Sequence, residues 1–413
     1  MNILLIHQYA GNKGDRAVLF ALVKLIKNNH PDASITVSTS DPLLWNDFST
    51  FSYSDVTFVP SAWDFQQGVG HSLYWKLLHK IEKYTFTILR ELYLRNLSRP
   101  FVRFLMNPEC YSALKQCDMA ISVGGHHFTT ILSRDLVSSI NYDAACVLSM
   151  GKKLVCFSQS FGPFDFHNNH NREFTKKILN SCLALYPREK DARTSLLSLG
   201  VKESLIHNTF ETVLSLNSLF TNGYILPSAR DKVVGVAIYA TQKREPSVYN
   251  DYVNAIASFC SYVIHKGFKV NFFPMELKGT PPDDRILIND IISRVEGSSS
   301  CHVYDKDMNT PQHLGEVAKC RFFVGHKTHS TIFAMATGTP LIAIAYHPKT
   351  IQFMKQFGVE KYSIDDKQLS VDFLNNSFDE LVLNGDAVGQ SLFDKAQHVT
   401  RIIQKDLDTL LIQ

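Results

Sequence analysis

Apolar residues fall along this chain in two alternating rhythms. Short runs that are apolar almost throughout occur at residues 2–7, 34–38, 119–123, 154–157 and 183–186, then at 233–239, 269–273, 302–304, 322–324 and 341–345. Runs of this length without alternation suit strands buried on both faces of a parallel sheet. Between them lie segments whose apolar residues recur every three or four positions: 17–28, 172–180, 191–199, 249–266, 284–295, 310–319 and 350–357. Strand and helix in strict succession predict an α/β protein of βαβ units. The succession occurs twice. It weakens at 205–231, where Asn222-Gly223 and Pro227 read as an exposed linker, and residues 365–413 read as mostly helical. The expected architecture is two Rossmann-like domains facing across a cleft: 1–215, with a helical insertion at 71–106, and 230–385. A C-terminal helix, 386–413, would pack back on the first domain.

The strand ends carry the chemistry. In open parallel sheets ligands bind beyond the carboxyl ends of the strands. Here those ends run into Gly11-Asn12-Lys13-Gly14-Asp15, Gly124-Gly125-His126-His127, Gln159-Ser160-Phe161-Gly162, Arg188-Glu189 and His347-Pro348-Lys349. Gly11 and Gly14 permit a tight turn, and Asp15 is expected to cap the helix after it. The turn is not G-x-G-x-x-G, so it predicts no dinucleotide. The fullest cluster is at 320–347, where His326, Lys327, His329 and Ser330 lie between a strand and a helix closed by Gly338 and Pro340. A helix N-terminus bearing a lysine and two imidazoles suits a phosphate or carboxylate; a capped, solvated loop fits the same residues.

Length and composition narrow the class. At 413 residues, with 45% apolar and 20% charged residues, the chain suits two globular domains. A net charge of +3 offers no dense basic face for nucleic acid. The eight cysteines lack C-x-x-C spacing and sit in apolar runs, which predicts core thiols in a reducing compartment. No spacing suggests a metal site, and no cofactor is expected. Residues 1–7 are too short and uncharged for a signal peptide, and no window has about 20 uninterrupted apolar residues, so a cytoplasmic protein is expected. One segment complicates that expectation. Residues 71–106 interleave aromatic and aliphatic residues with Lys76, Lys80, Lys83, Arg90, Arg95, Arg99 and Arg103. Such a segment either packs on the first domain with its cations in water or lies on the anionic inner face of a membrane.

Taken together, these loops resemble the polysaccharide pyruvyl transferases. The matching pieces are Gly11-Asn12-Lys13-Gly14-Asp15, Val123-Gly124-Gly125, Gln159 to Phe164, Arg188-Glu189, His329-Ser330, Gly338-Thr339-Pro340 and Tyr346-His347-Pro348-Lys349, in the family's order. The resemblance implies a fold similar to two-domain GT-B glycosyltransferases. It also implies transfer of the pyruvyl group of phosphoenolpyruvate to two hydroxyls of a sugar, forming a cyclic ketal in capsule or exopolysaccharide assembly. Phosphoenolpyruvate is then donor substrate, not cofactor, and the acceptor is a sugar or lipid-linked oligosaccharide. By resemblance His329 is the catalytic acid/base, since an imidazole titrates near neutrality. Arg188 would hold the donor's anionic groups, while Lys327, Ser330, Lys349, Gly11, Asn12, Asp15, Gly124, Gly125, His126 and Gln159 would line the substrates. The chain departs from the family at Lys327, where an arginine is usual, and at His126, where a third glycine often stands. The family's usual Asp after the Arg-Glu helix is not evident around Asn208 to Thr212. Two alternatives share the fold: a nucleotide-sugar glycosyltransferase, for which Glu276 or Asp283 would be the ribose-binding carboxylate, and a non-catalytic glycan-binding relative.

Overall fold

A computed structural model describes residues 1–9, 11–40, 42, 45, 56–63, 73–131, 138–239, 245–277 and 283–412, with the backbone alone at 73–83 and 138–139. The chain divides into two compact units. The first comprises Met1–Ala10, Val18–Glu211 and Asp406–Gln413; the second comprises Gly11–Ala17 and Thr212–Lys405.

In the first unit, β1 (Asn2–Gln8), β2 (Ser34–Thr39), β3 (Val56–Pro60), β4 (Met119–Ser122), β5 (Gly125–Phe128), β6 (Lys153–Phe161) and β7 (Ala184–Pro187) form one parallel sheet. Central β1 pairs with β2 on one side and β4 on the other. Ile3, Leu4, Leu5 and Ile6 are therefore buried on both faces, which is why their stretch shows no alternation. Both β4 and β5 pair with β6 on one side and β7 pairs with it on the other, so the strand broken at Val123-Gly124 occupies one position, and the six positions, β3, β2, β1, β4 with β5, β6 and β7, follow the 3-2-1-4-5-6 order. His126 and His127, expected in a loop, lie on β5. Helices α1 (Lys13–Asn29), α2 (Leu73–Leu94), α3 (Val102–Leu105), α4 (Pro108–Gln116), α5 (Ser138–Ser149), α6 (Asn169–Ser181) and α7 (Lys190–Leu199) separate the strands. Gly200 ends α7 at φ 89°, a left-handed cap that glycine adopts without steric cost.

The second unit repeats the plan. Strands β8 (Asp231–Ala237), β9 (Lys269–Phe272), β10 (Cys301–Val303), β11 (Cys320–Gly325), β12 (Leu341–Ala345) and β13 (Ser363–Asp365) run in the order β10-β9-β8-β11-β12-β13, all parallel. This is again 3-2-1-4-5-6, reversing between β8 and β11. Its helices are α8 (Pro246–His265), α9 (Asp284–Ile292), α10 (Thr310–Lys319), α11 (Thr328–Ala336), α12 (Pro348–Phe357) and α13 (Val371–Leu411).

Four local expectations are revised. Helix α1 begins at Lys13, and the cap is Asn12, whose Oδ1 accepts from the Gly14 N–H at 2.6 Å; Asp15 lies within the first turn. The supposed linker is largely structured, because Val213, Leu214 and Leu216 bury their side chains in a 3-10 helix, Thr212–Leu219. Seven residues of the first strand-end turn, Gly11–Ala17, belong with the second unit. The final helix is one 41-residue element whose end, Asp406–Gln413, belongs with the first.

The 71–106 segment begins with α2. Phe86, Leu89 and Tyr93 are buried, with Phe86 and Tyr93 edge-on to Phe174 at 5.9 and 5.6 Å. Lys76, Lys80 and Lys83 lie outside the described side chains. Arg90 Nη1 donates to Asn171 Oδ1 at 2.8 Å. Leu97, Phe101 and Phe104 are exposed, and the Arg103 guanidinium lies 4.4 Å from the Phe104 ring centre. Among the described residues no helix is long and apolar enough to cross a membrane. All eight cysteines are free, and seven are buried.

Candidate active site

Strand β11 ends at Gly325, and α11 begins three residues later. A Cβ at Gly325 would stand 2.7 Å from Thr331 Cγ2 and 2.9 Å from Ser330 Oγ, so only glycine lets the helix turn back this closely. The N–H groups of Ser330 and Thr331 both return to the Lys327 carbonyl, and the Ser330 hydroxyl donates to the same oxygen at 2.6 Å. Ser330 is thus fully buried and serves the helix start. The first turn carries His329, half-buried. Its ring packs against Gly14, where an added Cβ would stand 2.2 Å from His329 Nδ1. Two motif pieces 315 positions apart therefore meet in van der Waals contact within the second unit. The Thr328 and Thr350 hydroxyls, 2.9 Å apart, join the starts of α11 and α12 and bring the Lys349 segment alongside. At that second helix start His347 Nδ1 accepts from the Lys349 N–H at 3.2 Å.

Lys327 is buried. Its ammonium lies 3.0 Å from Glu276 Oε1 and 3.2 Å from Asp284 Oδ2. Asp284 Oδ2 also accepts the N–H groups of Met275 and Glu276, each at 2.9 Å. Asn12 Nδ2 donates to Glu276 Oε1 at 3.1 Å, and the Lys13 N–H donates to the Met275 carbonyl at 3.3 Å. Lys327 is therefore the counter-ion of two buried carboxylates and secures the turn that carries Gly14. A charge so engaged has little left for a ligand anion. The two carboxylates weighed as ribose binders are likewise engaged, Glu276 with Lys327 and Asn12, Asp283 with Arg285 at 2.9 Å.

Lys13, adjacent to Gly14, was not singled out from the sequence. Its Nζ is buried, makes no hydrogen bond among the described residues, and lies 3.9 Å from Asp307 Oδ1. Burial pulls its pKa down to about 8, partly opposed by Asp307. Behind it His313 is buried between the rings of Phe273 and Phe333, and burial followed by the Lys13 charge holds its imidazole neutral, well below the ordinary range.

The remaining candidates lie in the first unit. Arg188 follows β7 and is buried; its Nε donates to Ser160 Oγ at 2.9 Å, its Nη1 to Glu211, and its Nε is 3.7 Å from Glu189. Glu211, within the 208–212 stretch where no Asp stands, is the buried carboxylate that Arg188 meets. Its role became visible only once the fold placed it against Arg188, 23 residues away. Gln159 donates to Ser122 Oγ and, at 3.0 Å, to the Val123 carbonyl. The chain continues through His7. Its Nε2 faces the Ile140 carbonyl at 3.0 Å and must donate; its Nδ1, 2.6 Å from Ser122 Oγ, accepts from that hydroxyl in the neutral ring. Burial first, then His127, pushes the His7 pKa well below its ordinary value. His126 Nε2 donates to the Gly162 carbonyl at 2.6 Å. At Gly124 a Cβ would meet the Ser158 carbonyl at 2.8 Å, and at Gly125 it would meet His127 Nε2 at 2.4 Å. Both glycines are set by packing within the sheet. Among the described residues no group of three or more His, Cys, Asp or Glu side chains is arranged to hold a metal ion.

Comparison with known proteins bears on the family and the fold. The profile of the polysaccharide pyruvyl transferase family matches residues 12–348. The amylovoran biosynthesis protein AmsJ of Erwinia amylovora is 23% identical over 386 residues, covering 89% of each chain. Among solved structures, the UDP-GlcNAc 2-epimerase of Neisseria meningitidis superposes with a TM-score of 0.59 at 11% identity, covering both chains fully. A putative UDP-N-acetylglucosamine 2-epimerase of Listeria monocytogenes gives 0.59 at 12% identity, covering 99% of this chain and 97% of its own. Anabaena HepE gives 0.56 at 12%, with both chains covered fully. At these identities the structures bear on fold alone: two Rossmann-like domains of the GT-B-like class.

Proposed function

The chain belongs to the polysaccharide pyruvyl transferase family, and from that premise we propose that it transfers the pyruvyl group of phosphoenolpyruvate to two hydroxyls of one sugar in a surface glycan or its precursor. A proton is added to the methylene carbon, C2 becomes oxocarbenium-like, phosphate departs, and the two hydroxyl oxygens close the ketal. Two hydroxyl protons are lost in that sequence: one balances the methyl group formed, and the other leaves with phosphate. His329 is the residue assigned to proton transfer, since an imidazole can give and take a proton near neutral pH. The N-terminal turn of α11 offers the positive end of a helix to the donor's anionic groups.

The observation that carries this reading is the contact of His329 with Gly14. It joins the glycine turn of the family pattern to the helix start bearing its histidine. The nucleotide-sugar alternative has less support, because its candidate carboxylates are engaged by Lys327, Asn12 and Arg285. Purified protein given phosphoenolpyruvate and an oligosaccharide acceptor should release phosphate and add the mass of a pyruvyl ketal. His329→Ala should stop both while leaving the fold intact. No turnover on any acceptor, with thermal stability unchanged by phosphoenolpyruvate, would overturn the assignment.

A lipid-linked acceptor would give the exposed Leu97, Phe101 and Phe104 a partner. Together with Arg95, Arg99 and Arg103 they suit the anionic surface of a cytoplasmic membrane face, where apolar side chains enter and arginines meet phosphates. Eight free cysteines suit that reducing side.

A further inference from the structure

In the first unit a cavity opens at the amino ends of β6 and β7, on the edge of the sheet opposite the strand-end loops. Its volume is about 710 Å³, within the range of small-molecule sites and, at about 30 Å³ per water, far more than one phosphate group fills. Its lining combines two chemistries. Leu148, Leu183 and Leu205 are half-buried and apolar, while its cations include Arg99, Lys152 and Lys177. Among the described residues no acidic side chain lines it. The segments that enclose it, 93–99, 148–153, 177–183 and 205, all lie within the described residues.

The two lysines are fixed by neutral oxygens. Lys177 Nζ donates to the Tyr93 and Leu94 carbonyls at 2.7 and 2.9 Å and to Asn96 Oδ1 at 2.8 Å. Lys152 Nζ donates to the Lys115 and Cys117 carbonyls at 3.0 and 2.6 Å. Such bonds use up N–H groups and leave the positive charge uncancelled, and burial lowers the Lys177 pKa. Capping the ends of α2 and α4 accounts for these two lysines. It does not account for Arg99. That side chain is exposed, and among the described residues it makes no hydrogen bond or ion pair. The chain reaches it through a left-handed turn at Asn96, φ 60°, where α2 stops. Like charges gathered at one cavity repel until an anion joins them. A guanidinium grips two phosphate oxygens at once, and ammoniums held in place add their field. The apolar residues would lie against the carbon atoms of an ester. Beside Arg99 in the chain stand Leu97 and Phe101, with Phe104 one turn on, all exposed. Phosphate-binding and acyl-binding groups thus adjoin. We propose that this cavity receives the phosphodiester headgroup of an anionic phospholipid, with Arg99 as its direct ligand. That a membrane presents the headgroup rests on the membrane reading above; that the cavity takes a phosphodiester anion does not.

The test uses the full chain with dihexanoyl-phosphatidylglycerol below its micelle concentration, followed by saturation-transfer NMR, and with phosphatidylglycerol vesicles, followed by flotation. The short-chain lipid should bind, and Arg99→Gln and Lys177→Met should each weaken it by tenfold or more. Arg95→Gln removes the same charge from the same segment outside the cavity and should change short-chain binding by less than about twofold. On vesicles it should cost no more than about fivefold, the worth of one basic residue near an anionic surface. Dihexanoyl-phosphatidylcholine, whose choline cation would meet three cations, should not bind, and inorganic phosphate at equal concentration should not displace the phosphatidylglycerol. Should Lys177→Met fail to fold by circular dichroism, Arg99→Glu at its exposed position replaces it with the same expectation. No short-chain binding, equal losses from Arg95→Gln and Arg99→Gln, or displacement by inorganic phosphate would each overturn the headgroup site. Arg99-dependent binding of the short-chain lipid without vesicle flotation would keep the site and remove the membrane reading. Flotation that survives Arg99→Gln but not the loss of Phe101 and Phe104 would do the reverse.

Discussion

At Gly14 a single hydrogen atom separates the backbone from an imidazole, and this makes the proposed role of His329 testable without touching the histidine. Gly14 lies in α1 with ordinary helical backbone, so alanine there should hold or raise stability by up to about 1 kcal/mol in intrinsic propensity. Its methyl would nevertheless collide with the ring, 2.2 Å from Nδ1. Gly14→Ala should therefore displace the ring at a cost that offsets the propensity gain, leave the protein folded by circular dichroism, and lose kcat by tenfold or more, about 1.4 kcal/mol of barrier. A normal rate would show that the ring position is immaterial. Lys327 behaves differently. Lys327→Ala strands Glu276 and Asp284 in the interior, and losing one member of a buried ionic cluster typically costs about 3–5 kcal/mol. Denaturant unfolding should show that loss; Lys327→Arg, which keeps the charge, should recover most of it. Lys13 sets a pH signature. Its folded pKa of about 8 lies below the ordinary lysine value, so between about pH 8 and 10 the unfolded chain binds more protons and stability should rise with pH. Lys13→Met should flatten that rise and increase stability at pH 7, read by thermal melts at several pH values.

The elements were legible wherever their apolar pattern was continuous. The strand at residues 2–7 and the helix after 190 were readable because one is flanked by strands on both sides and the other shows a clean glycine stop. The reading failed where a polar side chain decides the boundary, as when Asn12, not Asp15, caps α1. It failed again at Thr212–Leu219, since the turn-forming residues downstream said nothing about the buried Val213 and Leu214. For 71–106 periodicity left two partners open. Phe86, Leu89 and Tyr93 are inward, while Leu97, Phe101 and Phe104 remain outward after that packing is complete. Phe101→Ser with Phe104→Ser should leave the melting temperature within about 1 kcal/mol equivalent, as surface changes do, and abolish flotation with phosphatidylglycerol vesicles. Flotation equal to the unaltered protein would remove the membrane assignment.

Over the whole molecule the chain crosses between its two units four times, once on either side of Gly11–Ala17, once after Glu211 and once after Lys405. The last crossing gives the C-terminus a structural duty in the first unit: Leu407, Leu410 and Leu411 are buried, Asp406 accepts from Thr209 at 2.8 Å, and Asp408 accepts from Asn29 at 2.6 Å. Deleting residues 406–413 removes three buried leucines, each worth about 1.5–3 kcal/mol, and should sharply lower the melting temperature even though every candidate active-site residue remains. The amino-acid order by itself determined the two wound α/β domains, because burial on both faces of a parallel sheet imposes uninterrupted apolar runs and helices impose their own period. It also marked the strand-end loops and, through the family pattern, His329. Pairing was beyond it. That Lys327 neutralises Glu276 and Asp284, that Arg188 meets Glu211, and that Gly14 is small for the sake of His329 were decided only by tertiary structure. Such contacts join residues from 23 to more than 300 positions apart, and periodicity carries no information about partners at that range.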